Sequence, residues 1–158
     1  MTLKDKIKNL INENQDVIRY YGILLLKLFG ADIRGDENKE FMLFKFIRKK
    51  IEKEKAENHC RFEKAWEDFH RIIALVIEKY KPIRIYQWGS LLNERHFSAI
   101  SDIDIAVEGI TDAQTYFNMI GEADEMTDFP LDIVQIEKID PIFGDSIRKK
   151  GKLIYERN

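Results

Sequence analysis

Apolar residues recur near the start of the chain in alternating steps of four and three: Leu3, Ile7, Leu10, then Asn14 on the same stripe, then Val17, Tyr21, Leu24 and Leu28. This heptad seam predicts one long helix over residues 2–29, opened by a Thr2–Asp5 capping box and stopped at Gly30. Asn14 is the kind of seam residue that fixes register in a coiled coil at some cost in stability. A short polar turn over residues 31–38 leads to a second helical stretch. It is apolar at Phe41–Phe46, densely charged from Lys45 to Glu57, and amphipathic again through Phe62, Ala65, Phe69, Ile72, Val76 and Tyr80. Two such helices joined by a short turn predict an antiparallel hairpin over residues 1–80. Phe41–Phe46 is apolar nearly all round, which predicts that it meets a partner chain or a second copy.

At Lys81-Pro82 the period changes from helical to alternating. Ile83, Ile85 and Gln87 alternate with Arg84, Tyr86 and Trp88, which predicts a strand. Ile103–Val107 reads as a second strand and Leu131–Ile136 as a third. Between them, Thr111 and Gln114 form a capping box for a helix over Asp112–Met126. Pro141 opens a last helix that Gly151 ends, with Leu153-Ile154-Tyr155 trailing behind it. Helices and strands in this order make an α/β or α+β arrangement over residues 81–158, and no low-complexity linker separates it from the helical half.

Composition narrows the possibilities. The chain has 158 residues, 44% of them hydrophobic, enough for a folded core. A net charge of −2 gives no global attraction to nucleic acid, which is not an expected partner. The single cysteine, Cys60, excludes an intramolecular disulfide and a cysteine-built zinc site and fits a reducing, cytoplasmic compartment. No apolar run approaches the roughly 20 residues of a membrane helix, and the polar N-terminus lacks a signal-peptide core.

The chemistry concentrates in three short stretches. On a strand, Asp102 and Asp104 point to one face with Cα atoms about 7 Å apart, while Ile103, Ile105 and Val107 face the other way. Carboxylates that converge to about 5 Å repel by about 3 kcal/mol at an effective dielectric of 20, which a cation would relieve. Asp132, in Leu131-Asp132-Ile133-Val134, adds a third carboxylate if its strand lies beside the first pair. An all-oxygen site suits Mg²⁺, and a two-metal arrangement can activate a hydroxyl and stabilise a leaving pyrophosphate. Gly89 follows the first strand and permits a sharp turn, and Ser90 can cap a short helix over Leu91–Arg95. Amides and a hydroxyl would then point together at a triphosphate.

Trp88-Gly89-Ser90 followed by Ser101-Asp102-Ile103-Asp104-Ile105-Ala106-Val107 resembles the minimal nucleotidyltransferases of the DNA polymerase β superfamily, whose pattern is Gly-Ser, a short spacer and Asp-x-Asp. Leu131-Asp132-Ile133-Val134 resembles that family's third acidic strand, and Ile147–Tyr155 its last helix and tail. The resemblance implies an α+β fold, a mixed sheet flanked by helices, here preceded by the helical hairpin. It implies an NTP donor such as ATP and two Mg²⁺ ions, with Gly89 and Ser90 holding phosphate and Asp102, Asp104 and Asp132 holding metal as the catalytic acids. Eleven residues separate Ser90 from Asp102, slightly more than the family's usual spacer, and Leu91-Leu92-Asn93-Glu94-Arg95 replaces its small residues.

A Gly-Ser pair alone is a plain turn, and a lone Asp-x-Asp is commonly a cap or a solvated edge; their order, with a third strand aspartate, carries the signal. Arg95, His96, Lys149 and Lys150 could touch phosphate but read first as solvated surface. His59 and His70 read as structural or surface groups, and Trp66 and Phe69 as core. The basic run Lys45, Arg48, Lys49, Lys50, Lys53 and Lys55 is interleaved with Glu52, Glu54 and Glu57, the pattern of a solvated helix with i,i+4 pairs. Two functions remain. One is transfer of a nucleoside monophosphate, AMP above all, from an NTP to a hydroxyl; small relatives of this kind pair with all-helical HEPN proteins as antitoxins, which implies a toxin protein as acceptor. The other is an antitoxin or binding module that acts on such a partner by contact alone. Self-association through the N-terminal helices is compatible with both.

Overall fold

The computed structural model describes Asn9 and residues 37–157, with side chains from Lys45 onward in the longer run. Apart from Asn9, the heptad helix lies outside the described residues, as do residues 31–36 of the turn and the side chains of residues 41–44. The chain divides at Glu57/Asn58 into two units. Helix α1 is a single run, Glu37–Leu75, that continues as a π-helical turn over Val76–Tyr80. In its charged stretch Arg48 pairs with Glu52 at 2.8 Å and Lys53 with Glu57 at 3.5 Å, the i,i+4 pattern read from the sequence. Lys81 takes a left-handed conformation (φ 51°), ends the helix, and turns the chain into the sheet.

The unit from Asn58 onward is an α+β fold built on one four-stranded mixed sheet. Its elements are β1 (Arg84–Trp88), two 3₁₀ turns (Ser90–Leu92 and Glu94–His96), β2 (Ile103–Glu108), α2 (Ala113–Asp124), β3 (Leu131–Gln135), α3 (Pro141–Lys150) and β4 (Lys152–Glu156). The spatial order is β3-β2-β1-β4. β2 runs antiparallel to β1 and parallel to β3, so α2 is the crossover that a parallel pair requires. The tail after Gly151 is a strand, paired antiparallel with β1.

Alternation along the strands sorts the sheet into two faces. Ile85, Ile103, Ile105, Val107 and Ile133 bury one face against Ala65, Phe69, Ile72 and Val76 of the long helix and Met119 and Ala123 of α2. Burying a side chain of this size contributes roughly 1.5–3 kcal/mol, so the end of α1 is held mainly by this contact. The opposite face carries a smaller cluster, Tyr86, Ala106, Ile136 and Ile147, under α3.

Local chemistry fixes the helix ends. Asp112, not Thr111, caps α2: its side chain accepts the Thr115 amide at 2.7 Å. Thr111 lies one residue too early, so the expected Thr111–Gln114 box is replaced by an aspartate cap. α3 begins at Pro141 as expected, with the Asp140 carboxylate accepting the Ile142 amide at 2.8 Å. Arg148, Lys149 and Lys150 occupy its last turn, where positive charge complements the helix dipole, and Gly151 ends it.

Candidate active site

The acidic residues meet where β2 leaves its loop. Asp104 stands level with Asp132 of β3 and opposite Trp88 of β1, so all three share the face that carries α3. The third strand does lie beside the second, the condition under which Asp132 joins the pair. Asp104 is only 5% exposed, Asp102 is half-buried just before the strand, and Asp132 is exposed at the edge.

Their electrostatics follow from that placement. Burial, then the neighbouring Asp102 and Asp132 carboxylates, push Asp104 up to about 7. A hydrogen bond with Asp102 works in the same direction, and one from the Ser90 backbone amide works against it. Asp132 is also raised, by burial first and by the Asp102 charge second. Beneath it the Tyr116 hydroxyl donates to the Ile133 carbonyl and is itself raised, chiefly by burial.

Gly89 is required where it stands. Its φ of +75° favours glycine, and a methyl group there would overlap the Asp104 carboxylate. The turn and the acid are therefore one packed feature. Ser90 departs from its expected role: it begins a 3₁₀ turn with Gly89 at the N-cap position and makes no side-chain cap. Its amide is engaged by Asp104, and its hydroxyl is buried without a partner.

The long spacer after Ser90 has a packing reason. Leu91 and Phe97 are buried in the main core, Phe97 edge-on to Phe62 of α1 with ring centroids 5.5 Å apart. Asn58 donates to the Phe97 carbonyl at 2.8 Å, and His59 bonds Glu94 at 2.7 Å. Bulky residues replace small ones here because the loop is fastened to the helix. Arg95 and His96 are exposed on the second turn, His59 sits at the surface, and His70 stacks on Trp66 at 5.0 Å.

Two features carry no motif. Glu108, at the end of β2 and 7% exposed, takes Arg148 of α3 at 2.6 Å and Arg84 of β1 at 3.2 Å. This bridge fastens α3 over the face that bears the acids. Lys150 lines a cleft together with Gly89 and Trp88, so it is the member of the basic set that the fold brings beside the turn. Neither could be read from spacing, since each depends on how α3 returns to the sheet.

Among the described residues no group of three His, Cys, Asp or Glu side chains stands ready to hold an ion. The donor chemistry nonetheless fits a hard cation: the acids offer oxygen alone, and their mutual charge is unrelieved by any basic partner in the causes that shift Asp104. Among the described residues no helix is long and apolar enough to cross a membrane.

A family model described as Polymerase beta, Nucleotidyltransferase matches residues 70–158, from the end of the long helix through the sheet. No curated protein matches the chain.

Proposed function

The chain belongs to the polymerase β nucleotidyltransferase family, and we propose that it transfers a nucleoside monophosphate from an NTP such as ATP to a hydroxyl acceptor with Mg²⁺. The observation that carries this reading is Asp104: a nearly buried acid under a glycine turn, pushed up to about 7 beside two further carboxylates. A fold seldom keeps such a cluster without a use for its charge.

In this reading Asp102, Asp104 and Asp132 would hold the metal. When bound, two Mg²⁺ ions would supply activation of the acceptor hydroxyl and neutralisation of charge at the leaving pyrophosphate. The Asp104 carboxyl, pushed up to about 7, would have to give up its proton to ligate a cation. Gly89 lets the backbone approach closely, and the Ser90 hydroxyl, buried without a partner, would take a phosphate oxygen. β2, paired on both edges, holds Asp104 against recoil, with Asp102 just before its first residue.

For the acceptor we propose a hydroxyl on a small helical protein of the HEPN type, on the strength of the likeness to minimal nucleotidyltransferases. The test is pyrophosphate release from ATP with Mg²⁺ and a candidate partner protein, scored with label transfer. Wild type should label the partner and Asp104→Ala should not. Equal labelling by both would overturn the proposed transfer.

A further inference from the structure

Beside the glycine turn lies a cleft of about 170 Å³, walled by Trp88, Gly89 and Leu92 on one side and by Phe143, Ser146 and Lys150 of α3 on the other. Pockets for drug-sized ligands run to about 300–1,000 Å³, so this one accommodates a single flat ring system rather than a whole nucleotide. Its rings are already arranged. Trp88 holds Phe143 edge-on, with centroids 5.3 Å apart and planes at 85°, yet Phe143 remains 42% exposed and Leu92 38%. Apolar side chains left open around one concavity mark a ligand surface rather than a core. Gly89 belongs both to this wall and to the turn packed on the Asp104 carboxylate. A molecule with its phosphates at the acids therefore has this cleft as the adjoining space.

We infer that the cleft receives the base of the donor nucleotide and selects purines over pyrimidines by stacking on Phe143, without distinguishing adenine from guanine. The inference rests on the nucleotidyltransferase reading above and adds the donor's base class to it. Stacking grows with ring area and accepts any base, since every base has a π-face. Reading a base edge needs fixed donors and acceptors, and the cleft supplies few. The Ser146 hydroxyl serves as donor or acceptor equally, so it suits either purine. Lys150, the one charged side chain in the lining, is matched to phosphate rather than to a neutral ring.

The test is calorimetric titration of the full chain, in Mg²⁺, with ATP, GTP, CTP, UTP and inorganic tripolyphosphate. Wild type should bind ATP and GTP within about threefold of each other and both at least about fivefold tighter than CTP and UTP. Phe143→Leu should weaken ATP and GTP by at least about fivefold and leave tripolyphosphate unchanged, whereas Phe143→Tyr, which keeps the ring, should retain both affinities. Lys150→Ala should weaken all five ligands alike. The comparison of four nucleotides on wild type decides the matter even if a variant folds poorly. Tripolyphosphate and all four nucleotides bound equally would overturn the base cleft and leave the nucleotidyltransferase reading standing. A preference above tenfold between ATP and GTP would overturn edge-blind recognition. Binding of none of the five would bring down both readings.

Discussion

Removing the charge of Asp104 should make the metal-free protein more stable while destroying the proposed activity. In the unfolded chain this carboxyl titrates near 3.8, and in the fold it is pushed up to about 7 by burial and by Asp102 and Asp132. A raised carboxyl holds its proton more tightly in the folded state, so stability is lost as pH rises from about 4 and the penalty is complete above about 7. The difference corresponds to at most about 4 kcal/mol. An asparagine side chain at this position is a close mimic of the protonated acid: its oxygen can accept the Ser90 amide and its NH₂ can donate to Asp102. Urea unfolding of wild type and Asp104→Asn in EDTA, from pH 4 to pH 8, measures the effect. The midpoints should coincide at pH 4 and separate above pH 7, with the variant higher by about 1 M. Mg²⁺ at pH 8 should raise the wild-type midpoint and do little for the variant. Parallel profiles for the two proteins across the whole range would refute the reasoning, because the penalty would then not come from ionising Asp104.

Gly89→Ala forces a methyl into the Asp104 carboxylate at a φ of +75°, and should cost about 1–3 kcal/mol, read as a lower melting temperature, together with nucleotide binding. Phe97→Ala empties a core site that is 3% exposed and should cost about 3–5 kcal/mol; limited proteolysis should then cut between Ser90 and Asp102 first. Glu108→Ala leaves Arg84 and Arg148 without their shared carboxylate, and should cost about 1–3 kcal/mol while raising amide exchange in α3 more than in β2.

The parts of this fold that were legible in the sequence are those written in local pattern. Alternation placed β1, β2 and β3 to within a residue or so, and Pro141 and Gly151 marked both ends of α3. Asp104 was legible because alternation sets it opposite Ile103 and Ile105, whereas Asp102 stands just before the strand and meets Asp104 through a side-chain hydrogen bond rather than through the strand's period. That Asp132 stands level with Asp104 depended on which strands pair, a long-range matter that periodicity leaves open. β4 escaped for the same reason: Lys152–Glu156 is a short, largely exposed edge segment, and pairing with β1 rather than its own pattern makes it a strand. Ser90 shows the reverse error. Its type suits a helix cap, but the chain makes a 3₁₀ turn there and spends the amide on Asp104. Glu108 and the cleft at Phe143 had no local signal at all, because both arise only when α3 folds back over the sheet.

All six residues of β2 are buried, the two functional faces of the strand alike. In a saturation screen scored by abundance in the cell, this strand would look uniformly intolerant, and its hydrophobic positions would hide the acid among them. Asp104 should break that uniformity in the unexpected direction, with neutral polar replacements accumulating to higher levels than the native residue. A screen scored by activity would rank the same replacements last. The place where the two maps disagree most would then point to the site without any motif, since it is where selection has kept a residue against the interest of the fold.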